Sequence, residues 1–183
     1  MIFLNITSLI VRSLLKYIYY RLKSLPISPQ SALVNDSEIR VITNDCVVDI
    51  IQEVNDKKEV FFIQIGSNDG ISNDPLHVHI IQNYHWRGVL VEPVPYLFAR
   101  LIENYKDYYD RLYFENVLIS EIDGNTEFYY VAPGASEHIN NIPKCYEQIG
   151  ALSKKHIITH LGECIIPFVE MKMLPSMSIE KLI

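Results

Sequence analysis

Gly66, Ser67, Asn68, Asp69 and Gly70 follow the apolar run Val60–Ile65, and Glu92 follows a second apolar run, "GVLV", 22 residues beyond Gly70. A strand ending in glycine can turn sharply and admit a ligand close to its backbone, because no Cβ stands in the way. A carboxylate at the end of the next strand offers acceptor oxygens to the two hydroxyls of a ribose. The pair points to a ribonucleoside bound at the carboxyl edge of a parallel sheet.

The spacing alone leaves the nucleoside open. Dinucleotide sites read G-x-G-x-x-G; this loop reads G-x-x-x-G and carries Asp69, which repels a pyrophosphate. S-adenosylmethionine, a nucleoside with a sulfonium and no phosphate, suits the loop better. A nucleotide-dependent oxidoreductase, which requires NAD(P), is disfavoured by the same residues.

The elements that must position these groups follow from periodicity and punctuation. Residues 45–55 read as a short helix capped by Asp45, and 60–65 as a buried strand. Residues 74–84 read as a helix, with Asp74 as cap and Pro75 in the first turn. A strand over 88–93, a helix over 95–104 and a strand over 111–120 complete a parallel α/β unit. Asp123-Gly124 turns into 126–131, a hairpin partner for the strand before it. Residues 132–164 are irregular, with weak helix near 146–160; 164–174 is a strand broken by Pro167, and "SMSIEKLI" starts a helix. Three regions result: an amphipathic helix over 1–25, a linker over 26–44, and an α/β domain over 45–183. In the first, Arg12, Lys16 and Lys23 oppose Phe3, Ile6, Ile10, Leu14 and Ile18. That face suits an anionic membrane surface or docking on protein.

Taken together, "FFIQIGSNDGISNDP", "WRGVLVEPVPYLF", "NY", "YFENVLIS" and "TEFYYV" resemble the FkbM-type family of S-adenosylmethionine-dependent methyltransferases, over roughly residues 58–183. The resemblance implies a Rossmann-like class I methyltransferase fold. It implies that Gly66, Ser67, Asn68, Asp69 and Gly70 wrap the methionine part of the cofactor. Glu92 then holds the ribose, Pro93 shapes the turn beside the adenine, and Asn116, Val117 and Leu118 lie near it. Gln64 stands where many methyltransferases have an acid. Family members continue beyond the "LPSMSIEKLI" segment into an Asp-x-Glu-Gly-like strand, so the domain is expected to be incomplete at its C-terminus. One edge of the 60–65 strand is then unpaired unless 126–131 or 164–174 covers it. The implied activity is methyl transfer to a hydroxyl of a sugar or small metabolite. The alternative is a non-catalytic truncated remnant, or a half domain completed by a partner, membrane-associated; a homo-oligomer is a separate expectation.

The totals set outer bounds. A net charge of −6 over 183 residues argues against a nucleic-acid partner. Cys46, Cys145 and Cys164 form no Cys-x-x-Cys pair, which fits a reducing cytoplasm, peripheral to the membrane if residues 1–25 meet lipid. His156, His160 and Cys164 have helical metal-ligand spacing but no fourth ligand, and read first as a helix face. His77 and His79 follow the glycine loop, either as packing residues or with one of them as a base.

Overall fold

A computed structural model describes residues 2–4, 40–42 and 60–182, the first two segments as backbone strands only. The expected helix over 45–55, and the expected helix over 1–25 apart from residues 2–4, lie outside the described residues.

The first sheet is built from β1 (Ile2–Leu4), β2 (Arg40–Ile42), β3 (Val60–Ile65), β4 (Trp86–Val91) and β5 (Leu112–Glu115), in the spatial order β2-β1-β3-β4-β5. All of its pairings are parallel. The central strands are buried on both faces, as the continuous apolar runs require. On one face, α1 (His77–Gln82) and α2 (Pro95–Asn104) pack on Val60, Phe62, Trp86, Leu90 and Leu112 through Ile80, Leu101 and Tyr105. On the other, Ile63, Val91 and Val117 meet Ile179 of α4 (Ile179–Leu182). Pro95 opens α2 at its first turn, where its missing N–H costs nothing. The expected cap is not at the helix start: α1 begins at His77 with Leu76 at its N-cap and no side-chain cap, and Asp74 Oδ1 accepts from the Leu76 N–H at 2.8 Å in the turn before it.

The free edge of β3 is taken by β1, not by 126–131 or 164–174: Ile2, Phe3 and Leu4 align with Phe62, Ile63 and Gln64. Residues 2–4 are therefore extended where a helix was expected. The tripeptide is apolar and uncharged, and in the sheet its backbone groups find partners on both sides. Within the expected linker, Arg40–Ile42 forms β2.

A second sheet has the order β6-β9-β7-β8, from β6 (Leu118–Ile119), β7 (Gly124–Val131), β8 (Gly150–Ala151) and β9 (Val169–Met177). The expected strand over 111–120 is thus divided between two sheets. The expected hairpin between it and 126–131 does not form; β7 runs antiparallel to β9, with Gly124 opposite Ser176 and Val131 opposite Val169. Phe128, Tyr130 and Leu174 pack on Val94, Leu97 and Leu118, joining this sheet to the start of α2. Between β8 and β9, α3 (Lys154–Leu161) covers a small core around Val131, Tyr146 and Ile165. Pro167 falls in the 3-10 turn Glu163–Phe168 just before β9, which it therefore does not break. Among the described residues no helix is long and apolar enough to cross a membrane.

Candidate functional site

Register sets the geometry. Ile65 aligns with Val91, and Val91 with Glu115. The next residue of each strand, Gly66, Glu92 and Asn116, therefore leaves the sheet at the same carboxyl edge. The N–H groups of Gly66 and Ser67 both donate to the Val91 carbonyl, at 2.9 and 3.0 Å, so the chain turns over β4 at once.

The two glycines of the loop have different reasons. Gly66 sits at φ +76° with nothing within 4 Å of where a Cβ would stand. Among the described residues nothing blocks approach to its backbone. Gly70, also at φ +76°, lies against α2: a Cβ there would be 2.4 Å from Tyr105 Cε2 and 2.6 Å from Leu101 Cδ1. That glycine serves packing. Between them Asn68 takes φ +51°, a conformation asparagine tolerates better than most residues.

Glu92 is 2 % exposed. Its Oε2 accepts from the Asn68 N–H at 2.9 Å and its Oε1 from the Val94 N–H at 2.8 Å. The carboxylate thus ties the glycine loop to the start of α2. Burial pushes its pKa up to about 7, although the Val94 and Asn68 N–H groups pull the other way; the nearby Asp69 charge adds to the rise. Asn116 Nδ2 donates to the carbonyls of Glu92 and Pro93, at 2.7 and 3.1 Å, and so holds the turn after β4. Val117 and Leu118 are buried and packed into two different core clusters. Of the three residues after β5, Asn116 lies at the site edge and the other two are core.

The rest of the loop is fastened internally. Ser67 Oγ donates to the Gln64 carbonyl at 3.1 Å. Asp69 Oδ1 accepts from the N–H groups of Ile71 and Ser72, and its Oδ2 from Ser72 Oγ at 2.6 Å. Burial alone would raise the Asp69 pKa, but these hydrogen bonds and the Arg100 charge outweigh it and hold the carboxyl below its usual range. Asp69 therefore turns towards its own loop. Gln64 is buried; its Nε2 donates to Asp74 Oδ2 at 3.1 Å, and its Oε1 has no hydrogen-bond partner among the described residues.

Three residues that hydrogen-bond to the loop and its continuation have no assigned role in sequence. Asn104 Nδ2 donates to the Asp69 carbonyl at 2.8 Å, and Tyr105 OH to the Gly70 carbonyl at 2.9 Å. Burial raises the Tyr105 pKa, which keeps the phenol a donor. The "NY" of the resemblance is this pair: its signal was present, its role was not. Gln148 Nε2 donates to the Ser72 carbonyl, bringing in a residue from the irregular 132–164 region, and Arg100 forms an ion pair with Glu147 at 2.6 Å beside it.

His77 Nδ1 lies 3.1 Å from Tyr105 OH, behind the loop, and His79 stacks on Trp86 with ring centroids 6.2 Å apart. Both histidines are half-buried and make packing contacts, His77 with Tyr105 and His79 with Trp86. His156 and His160 share a face of α3, while Cys164 lies beyond its end, with Sγ 3.7 Å from the Leu161 carbonyl oxygen. No group of three or more potential metal ligands is assembled among the described residues. Compared with protein-family models, curated proteins and solved structures, the chain gives no match.

Proposed function

We propose that the chain binds S-adenosylmethionine at the carboxyl edge of β3, β4 and β5, within a Rossmann-like methyltransferase domain, and transfers a methyl group to a hydroxyl of a sugar or small metabolite. The observation that carries this reading is the alignment of Gly66, Glu92 and Asn116 across consecutive parallel strands, with no described residue within 4 Å of where a Gly66 Cβ would stand. Ligands of open α/β sheets bind at this edge, where connections diverge. In the sheet order, β1 lies on the opposite side of β3 from β4 and β5, so the connections around β3 part there.

The chain's own groups fit the cofactor in three ways. Gly66 and Asn68 supply close backbone approach. Glu92 supplies acceptor capacity for a ribose diol, because each carboxylate oxygen uses one of its two lone-pair sites on a backbone N–H. Gln64 Oε1, near the end of β3, supplies a buried acceptor without a partner among the described residues, suited to an ammonium or amide donor. When bound, the cofactor supplies the reactive methyl. Calorimetry with S-adenosylmethionine and S-adenosylhomocysteine tests the proposal: both should bind and compete for one site, and absence of binding by the folded chain overturns it.

A second reading rests on the burial of Glu92 and on its two N–H partners. Here Glu92 is a pin that holds the glycine loop to α2, and the domain is a non-catalytic module. The variant Glu92→Gln separates the two. It should lose cofactor affinity on the first reading, and lose only loop order on the second.

A further inference from the structure

Among the described residues, β6 pairs with β9 only at Ser176 and Met177, leaving Val169 to Pro175 with one unpaired edge. Glu170, Met171, Lys172 and Met173 are all exposed. Met171 and Met173 lie on one face, at 51 % and 58 % exposure; Glu170 and Lys172 lie on the other. Within one copy the two charged side chains meet over Tyr130: its OH donates to Glu170 Oε2 at 2.8 Å, Lys172 Nζ lies 5.7 Å from its ring centroid, and Lys172 Nζ stands 3.9 Å from Glu170 Oε2, a loose exposed pair that a cross-strand pairing can replace.

An edge that carries a lone lysine repels a second strand. An edge that carries Glu170 two residues from Lys172 has a partner in its own copy. In a two-fold antiparallel pair, opposed residues must share a face and a hydrogen-bonding direction, so a strand pairs with its copy only about a residue, not about a bond between residues. Centring on Glu170 opposes two glutamates, and centring on Lys172 opposes two lysines. Centring on Met171 sets Glu170 against Lys172 twice by symmetry, Met171 against itself, and Val169 against Met173. Every cross-strand pair is then either oppositely charged or apolar.

We infer that β9 is a self-association edge: two copies of the chain join antiparallel about Met171, continuing the second sheet across the two-fold. The occupant is a second copy because the charge pattern complements itself in this one register and opposes like charges in its two neighbours.

Sedimentation measurements over a range of concentrations test this on the full chain. The unaltered protein should show a monomer–dimer equilibrium. Glu170→Lys and Lys172→Glu each turn both symmetry-related pairs into like charges, and each should weaken dimerisation by roughly tenfold or more. The double variant Glu170→Lys/Lys172→Glu restores opposite charges in the same register and should recover the dimer. A protein that stays monomeric at every concentration, single variants that dimerise like the parent, or a double variant that fails to recover would each overturn the inference.

Discussion

At the scale of the residue, Gly66 and Gly70 look alike in sequence and differ in the fold. Gly66→Ala meets no described residue within 4 Å, so its cost is set by the left-handed backbone, about 1–2 kcal/mol. It should fold and bind S-adenosylhomocysteine less well. Gly70→Ala adds a clash with the fully buried Tyr105 and Leu101, and should cost about 2–5 kcal/mol in denaturant unfolding. Equal losses of stability for the two variants would refute the distinction. Glu92 carries a second prediction. Its folded pKa of about 7 lies above the ordinary value of 4.5, so between these values the folded state binds a proton that the unfolded state has released. Stability should therefore fall as pH rises through that window, by on the order of 3 kcal/mol, and be independent of this group below it. Unfolding curves of Glu92→Gln measured against the parent should lack that component, and parallel curves would remove Glu92 as its source. The placing of Glu92 at a strand end was legible because an apolar run broke on an acid. Its attachment to the Asn68 and Val94 N–H groups was not, since backbone donors leave no trace in residue type.

At the scale of the element, β3, β4 and α2 were legible because their apolar runs are bounded by glycine, glutamate and proline. The stretch 111–120 was misread for a physical reason. Val117 and Leu118 are adjacent and buried in different clusters, one under the first sheet and one beneath the second. A chain passing from sheet to sheet and a single buried strand present the same apolar pattern. The hairpin expected at Asp123-Gly124 failed with it, because β7 finds its long partner in β9, 38 residues after the end of β7. Arg111 opens the expected strand over 111–120 with no role of its own in sequence, and it is 6 % exposed. Its guanidinium donates to the carbonyls of Ile80 at 2.7 Å and Trp86 at 2.9 Å, and lies 4.8 Å from the Tyr108 ring centroid. It joins α1 to the starts of β4 and β5. Arg111→Ala leaves at least two buried carbonyls unpaired and should cost about 2–4 kcal/mol. Arg111→Lys, with a compact ammonium in place of a planar fork, should recover little of the loss. Full recovery in thermal unfolding would show that charge rather than fork geometry holds these elements.

At the scale of the whole molecule, the first sheet is closed on one side by the beginning of the chain. β3 is the strand from which the candidate site opens, and it is central only because β1 and β2 lie beside it. A parallel sheet buried on both faces tolerates no open edge at its centre: unpaired groups there each cost about 1–3 kcal/mol, and an apolar edge is a template for other chains. Proline at position 3 tests this without shortening the chain. It removes the N–H of Phe3 and fixes φ in the middle of β1, between two parallel neighbours. Phe3→Pro should therefore speed amide hydrogen exchange in Phe62, Ile63 and Gln64 while leaving the second sheet unchanged. It should also add an association route through β3, separate from that through β9. Placing Phe3→Pro in the Lys172→Glu background distinguishes the two, because β9 pairing is weakened there and any oligomer formed must use the newly opened edge. Cofactor affinity should fall in the same variant, since Gly66 leaves the sheet one residue after Ile65. Unchanged exchange in β3 would show that β1 does not bear on the central strand, and the candidate site would then owe its geometry to β4 and β5 alone.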